Sequence, residues 1–299
     1  MPSRIVRHTS LVTVAYLAAT AVLTVLWGRA VPWWPAIVTA HVAVCVVLMS
    51  LGRRTPLARP WSVALHWHPL ALFPILYKEV QVLAAAVGDW RLTAVVSAAE
   101  ERLFGGQPSI YLSERLSVVA LSEYLHFCYV AYLLLMPGVA AYWYLTKQRT
   151  AFHELILLVA IVMFGSYLVF ILWPVDSPFY RFERLRPPLA GHVFFDLVHF
   201  VSSRGGARGG AFPSAHASAS VVLWLVAFRY QRRLAILLTP IITGLIVATV
   251  YGRFHYALDT IAGVGLAFAV VGVYRWGTWC RSARDQRQST LESAPGGSQ

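Results

Sequence analysis

The chain has 299 residues, 58% hydrophobic and only 13% charged, where an ordinary soluble domain is roughly 25% charged, so it cannot build a water-soluble surface. Its formal net charge of +12 would suit nucleic acid, but the basic residues stand between apolar runs rather than on an interleaved aromatic-basic surface, which argues for membrane topology instead. Cys45, Cys128 and Cys280 show no Cys-x-x-Cys spacing, so neither a disulfide framework nor a zinc site is indicated.

Taken in chain order, runs apolar enough to span hydrocarbon occupy residues 10–28, 31–51, 124–145, 155–175, 217–228, 234–251 and 256–274. The first follows Arg4 and Arg7 but is too long for a signal peptide and lacks a small-residue cleavage site. The fifth reaches across a bilayer only with its flanking residues. Between residues 60 and 88 an apolar segment is interrupted by His66, His68, Pro69, Pro74, Lys78 and Glu79. Lys78 and Glu79 are adjacent, so on a helix they point about 100° apart and cannot neutralise each other. One of them is expected to face a polar cavity near a headgroup site. Residues 90–104 mix Trp90, Val95 and Phe104 with Arg91, Glu100, Glu101 and Arg102, which reads as an interfacial helix ending in a turn at Gly105-Gly106.

The positive-inside rule places Arg4, Arg7, Arg53, Arg54, Arg59, Lys147, Arg149, Arg229, Arg232, Arg233, Arg281, Arg284 and Arg287 on the cytoplasmic side, provided residues 67–87 cross once. The expected fold is an all-α, polytopic transmembrane helix bundle of six to eight spanning helices with a short interfacial helix. The eight-crossing form puts both termini in the cytoplasm and residues 176–213 and 252–255 on the opposite face. Residues 1–59 read as an N-terminal two-helix membrane segment, 60–278 as a membrane-embedded catalytic domain, and 279–299 as a basic-polar tail too poor in apolar residues to order itself. No internal repeat of the transporter kind is visible.

Two segments carry chemistry. The first, residues 205–216, runs Gly-Gly-Ala-Arg-Gly-Gly-Ala-Phe-Pro-Ser-Ala-His into an apolar run. Its glycines let backbone N–H groups approach an anion, Arg208 adds charge, Ser214 offers a hydroxyl, and His216 lies within one turn. The alternative is a flexible loop capped by Pro213 and Ser214. The second segment, Arg253-Phe254-His255-Tyr256-Ala257-Leu258-Asp259, also enters an apolar run. Asp259 is four residues after His255, on the same helix face, and a carboxylate there needs a partner. Such a pair fixes one imidazole tautomer and leaves the other nitrogen free to attack. Its alternative is a histidine-aspartate pair that merely satisfies itself.

Phosphoryl transfer needs a nucleophile, positive charge on the equatorial oxygens and a proton for the leaving oxygen. His255, then Arg253 with Arg208, then His216 fit those needs. The outer loop adds Arg181, Arg184, Arg186 and Arg204, suited to bidentate phosphate binding or to anionic lipid headgroups. Arg186, ahead of Pro187 and Pro188, is the best candidate among them. His41, His126 and His153 read as core or interfacial residues.

These residues resemble the type 2 phosphatidic acid phosphatase superfamily, whose signatures are Lys-x6-Arg-Pro, Pro-Ser-Gly-His and Ser-Arg-x5-His-x3-Asp. Residues 213–216 match the second with Ala215 for glycine, and His255 to Asp259 matches the end of the third. The resemblance implies His255 as nucleophile and His216 as the leaving-group acid. Arg186-Pro187 fits the first signature, but its lysine position falls on Phe179 and the third signature's arginine position on Thr249, for which Arg253 is a substitute. The departures, with Phe104-Gly105-Gly106-Gln107-Pro108, look more like the inositol phosphorylceramide synthase branch, which implies transfer of a phospho-headgroup between lipids, sphingolipids included. The expected activity is lipid phosphotransferase, with lipid phosphate phosphatase as the alternative. Neither needs a metal or an organic cofactor. Expected partners are a lipid phosphoester and membrane lipids, without nucleic acid. A non-catalytic anion-binding transporter or scaffold is the reading from another class.

Overall fold

Backbone in hydrocarbon has to satisfy its own N–H and C=O groups, and every apolar run of this chain does so as helix. The computed structural model describes residues 2–54, 57–88, 91–183, 185, 189–190 and 192–292. Among them the helices are α1 (Pro2–Trp27), α2 (Trp34–Arg53), α3 (Arg59–Val87), α4 (Arg91–Phe104), α5 (Pro108–Arg115), α6 (Val119–Leu145), α7 (Arg149–Leu172), α8 (Pro178–Arg181), α9 (Val193–Gly205), α10 (Ala215–Tyr230), α11 (Arg232–Tyr251) and α12 (Ala257–Glu292). The only strand-like pairing among the described residues is an isolated bridge between Val175 and Gly210.

Seven of these helices, α1, α2, α3, α6, α7, α11 and α12, are long and apolar enough to cross a membrane. The segment containing residues 67–87 belongs to one of them, α3, with Pro69 and Pro74 inside it. With 16 residues, α10 is only about 24 Å long, short of a hydrocarbon core near 30 Å. It nevertheless runs the depth of the bundle. At its far end Arg229 pairs with Glu154 of α7 at 3.3 Å, Tyr230 donates to the same carboxylate at 2.8 Å, and Trp143 of α6 donates to Gln231 at 3.1 Å. At its other end the helix is joined directly by the glycine-rich loop.

The core forms around α7, which is apolar on all sides and buried from Ala151 to Ile171 with few gaps, as a helix without a polar face must be. Tyr16 of α1 stacks on Phe164 of α7 at 4.7 Å between ring centroids, so the first helix shares that core. Lys78 and Glu79 part company as their spacing requires. Glu79 accepts from His41 of α2 at 2.9 Å, and Lys78 donates to the Arg204 carbonyl at 2.7 Å. Past residue 279, where composition led us to expect a tail without order, α12 continues to Glu292. Adding residues to an existing helix gains a hydrogen bond each and needs no new nucleus. Residues 293–299 lie outside the described residues.

The starts of α10 and α12 are clasped. The Ser214 N–H donates to the Asp259 carbonyl at 2.9 Å. One turn further along α12 sits Gly263, where a β-carbon would come within 2.4 Å of the Ser214 carbonyl oxygen. A third element holds the same place. Glu100, fully buried on α4, accepts from the Ala257 N–H and so caps α12. Burial, reinforced by the charge of Asp259 and opposed by the Ala257 donor, pushes the Glu100 carboxyl up to about 7.

Two outcomes follow for stability. Gly263→Ala has only backbone to push against and should cost about 1–3 kcal/mol, read as a lower unfolding midpoint in detergent; an unchanged midpoint would show that the helices are not in close contact. Because the Glu100 pKa is raised on folding, the folded chain holds more protons than the unfolded one between about pH 4.5 and pH 7, and stability falls as pH rises through that window. Glu100→Gln should flatten that part of the stability profile, and a profile identical to the parent would contradict the shift.

Candidate active site

The segment between α11 and α12 is shaped by the end of α11. Gly252, Arg253 and His255 donate their N–H groups to the carbonyls of Ala248, Val250 and Thr249 at 2.9, 3.0 and 2.8 Å, satisfying the last turn. Arg253 adopts φ 62° to do so, an uncommon conformation for a residue with a side chain. This turn delivers His255 to the foot of the glycine-rich loop.

There the His255 Nδ1–H donates to the Ala211 carbonyl oxygen at 2.9 Å. A carbonyl can only accept, so the proton sits on Nδ1 and Nε2 carries the lone pair. Asp259 stands behind, its Oδ2 at 3.7 Å from Nδ1 and accepting from the Tyr256 N–H at 2.8 Å. Sequence reasoning made Asp259 the direct orienter of His255. In the structure the direct partner is the Ala211 carbonyl, because the loop reaches the ring first, and Asp259 supplies charge at ion-pair distance.

His216 lies in the first turn of α10, its ring 5.8 Å from that of His255 between centroids. It rests against Tyr129 at 5.1 Å and Tyr132 at 4.8 Å. Among the described residues no hydrogen bond engages its ring nitrogens. A cavity of about 440 Å³ opens beside it, lined by Tyr77 and Lys78 of α3, Leu133 and Met136 of α6, and Met163 and Tyr167 of α7 among others. Met163 and Tyr167 lie about two turns before the end of α7, so His216 is recessed within the bundle.

The loop above is tied down at several points. Val175 donates to the Gly209 carbonyl at 3.1 Å, and Ala211 donates back to Val175 at 3.0 Å. Asp176 accepts from the Gly209 N–H at 3.0 Å and from Arg208 at 2.8 Å. Gly209 has φ 83°, the conformation that favours glycine.

The anion-binding candidates come out unequally. Arg208 is more than half exposed and paired with Asp176, an exchangeable surface pair. Ser214 is buried as the N-cap of α10, its Oγ accepting from the Ala217 N–H at 3.3 Å, which leaves its own O–H to donate. Arg253 is turned aside: its guanidinium donates to the Glu183 carbonyl and, at 3.0 Å, to Ser113 of α5, so it braces the turn rather than facing His216. Arg186 lies outside the described residues. At the signature positions already noted as divergent, Phe179 stacks on Phe254 at 5.8 Å, and Thr249 bonds Thr260 at 2.9 Å. Lys78, from a different element, instead brings a positive charge to the cavity beside His216.

Sequence reasoning missed Glu100, the Ala211 carbonyl, Asp176 and the two tyrosines beside His216. Only Glu100 left a signal, a carboxylate in an otherwise half-apolar interfacial helix.

No curated protein and no solved structure matches the chain. The model of the PAP2 superfamily matches residues 94–273, more than half of the chain, and takes in both histidine segments and the helices that position them. Phosphatase or phosphotransferase activity on phosphoesters is what such membership supports. This multi-pass membrane protein belongs to the PAP2 superfamily.

Proposed function

We propose that the protein moves a phosphoryl or phospho-headgroup from a lipid phosphoester to a second hydroxyl through a phosphohistidine on His255. The observation that carries this is the Nδ1–H bond from His255 to Ala211, which leaves Nε2 unprotonated a short distance from a second imidazole, His216. In the first step the Nε2 lone pair forms a bond to phosphorus, the bond from phosphorus to the leaving oxygen breaks, and protonated His216 gives that oxygen its proton. In the second step an acceptor hydroxyl gives its proton to His216 and attacks the phosphohistidine, restoring His255. Asp259 offsets the positive charge that the ring develops. Arg208, once released from Asp176, joins Ser214 and Lys78 in holding the equatorial oxygens, and Arg253 fixes the turn that presents His255.

The cavity beside His216 is walled by leucine, methionine and tyrosine, which suits an acyl chain and supports a lipid donor. Water in the second step would make the same machinery a lipid phosphate phosphatase. We favour a lipid or polyol acceptor, as in the inositol phosphorylceramide synthase branch, because an apolar, recessed entrance admits amphiphiles more readily than bulk water. The same reading places the site on the non-cytoplasmic face with both termini in the cytoplasm.

Exposing the protein to a panel of radiolabelled lipid phosphates and phosphodiesters should trap an acid-labile phosphoenzyme that lipid hydroxyls discharge. His255→Ala should form none, and Asp259→Asn should lose more than about a hundredfold in rate. His216→Ala should lose roughly a hundred- to ten-thousandfold with poor leaving groups and far less with good ones. A His255→Ala protein that still turned over, or an equal His216→Ala loss for every leaving group, would defeat the assignment. For sidedness, a cysteine placed at Arg204 should react with an impermeant reagent only from the non-cytoplasmic side, and labelling from the cytoplasm would reverse the topology.

A further inference from the structure

The opposite end of the bundle holds a second cavity, of about 960 Å³, at the upper end of the range for ligand sites. It lies between the ends of α1, α2, α3, α6 and α7. Arg7, Arg53, Arg54, Arg59 and Arg149 line it together with His66 and His153, and among the described residues no aspartate or glutamate does. Residues 1–78, which carry four of the five arginines, contain no aspartate or glutamate. Glu154, next to His153, is already engaged by Arg229 and Tyr230. Among the described residues no carboxylate pairs with any of the five arginines.

Arginines at helix ends commonly snorkel singly into lipid headgroups. Here they converge from three separate stretches of chain on one recess, and one of them is partly sequestered. Arg149 sits over the Tyr144 ring, its Cζ 3.6 Å from the centroid, and its Nη1 is buried with no partner among the described residues. A buried guanidinium N–H without an acceptor is costly, and five like charges around one space repel. His66 packs between Tyr144, at 5.9 Å, and His153, at 4.6 Å, walling the inner side. Apart from Ser10, Ser62 and Tyr144 the remaining lining is apolar, with Leu11, Val14, Leu48, Met49 and Leu65 among it. A free anion would satisfy the arginines and leave that wall unmatched. An amphiphile satisfies both.

The recess is distinct from the histidine site. Its Arg149 begins α7, whereas Met163 and Tyr167, which line the cavity beside His216, lie about 21–27 Å further along that helix.

We propose that this cavity binds an anionic phospholipid, its phosphate and headgroup held by Arg53, Arg54 and Arg149 and one acyl chain lying along Leu11, Leu48 and Met49. The lipid bridges α1 and α2 to α3 and α7, neutralises the basic cluster and is neither donor nor acceptor in the reaction above. Basic pockets between membrane helices recognise such headgroups through charge and bidentate geometry.

The full-length protein, purified in detergent, is examined by native mass spectrometry and thermal unfolding with phosphatidylglycerol, phosphatidylcholine or inorganic phosphate. Phosphatidylglycerol should remain bound and raise the unfolding midpoint, while the other two should do neither. Removing three charges in R53Q/R54Q/R149Q should weaken retention by about a hundredfold. The double variant R53Q/R54Q changes only exposed side chains, which keeps the test valid if the triple variant misfolds, and should weaken it roughly thirtyfold. His255→Ala should retain the lipid as the parent does. Equal retention of phosphatidylcholine, an equal midpoint shift from inorganic phosphate, parent-like binding by the double variant, or loss of binding in His255→Ala would each overturn the proposal.

Discussion

The candidate site depends on a contact between two backbones. Where α12 passes α10, the missing side chain of Gly263 lets the helix come against the Ser214 carbonyl, and the Ser214 N–H closes on Asp259. Backbone atoms cannot change rotamer, so the relative position of His216 and His255 is set by parts that do not swing. Small residues serve the same end wherever membrane helices approach closely, since lipid offers no hydrophobic force to press them together. The side chains at the two helix starts are thereby left free for chemistry.

A second regularity concerns charge. Three carboxylates near the site are turned toward donors: Glu100 to the start of α12, Asp259 to Tyr256, Asp176 to Gly209 and Arg208. Left facing the cavity they would repel a phosphate. Used in this way they hold the backbone that presents the imidazoles, and the cavity keeps Lys78 and the histidines for an incoming anion. On the proposed reading the carboxylates position and the basic groups receive.

Much of this arrangement was legible from the sequence. His216, His255 and Asp259 stood out because each sits at the entrance to an apolar run, where a polar residue is costly without a purpose, and because the four-residue spacing is a local property of a helix. The split between Lys78 and Glu79 followed from the same angular argument. The arginines were harder. A long flexible side chain reaches many acceptors, and nothing in the order of residues says that Arg253 would turn to Glu183 and Ser113 while Lys78 came in from a distant helix. The Ala211 carbonyl could not be foreseen at all, because a backbone acceptor carries no mark in the sequence. Glu100 was visible as an oddity, but its target, Ala257, is 157 residues away.

The hydrogen bond from His255 to Ala211 has a consequence beyond orientation. The carbonyl belongs to a loop whose shape is fixed by Val175, Asp176 and Gly209. On the mechanism we propose, opening that loop would take the acceptor from Nδ1, let the proton settle on Nε2 and cost the ring the lone pair it attacks with. On that mechanism reactivity and loop closure are coupled, an interlock in which the proposed nucleophile is best set for attack while the stretch of chain above it is seated.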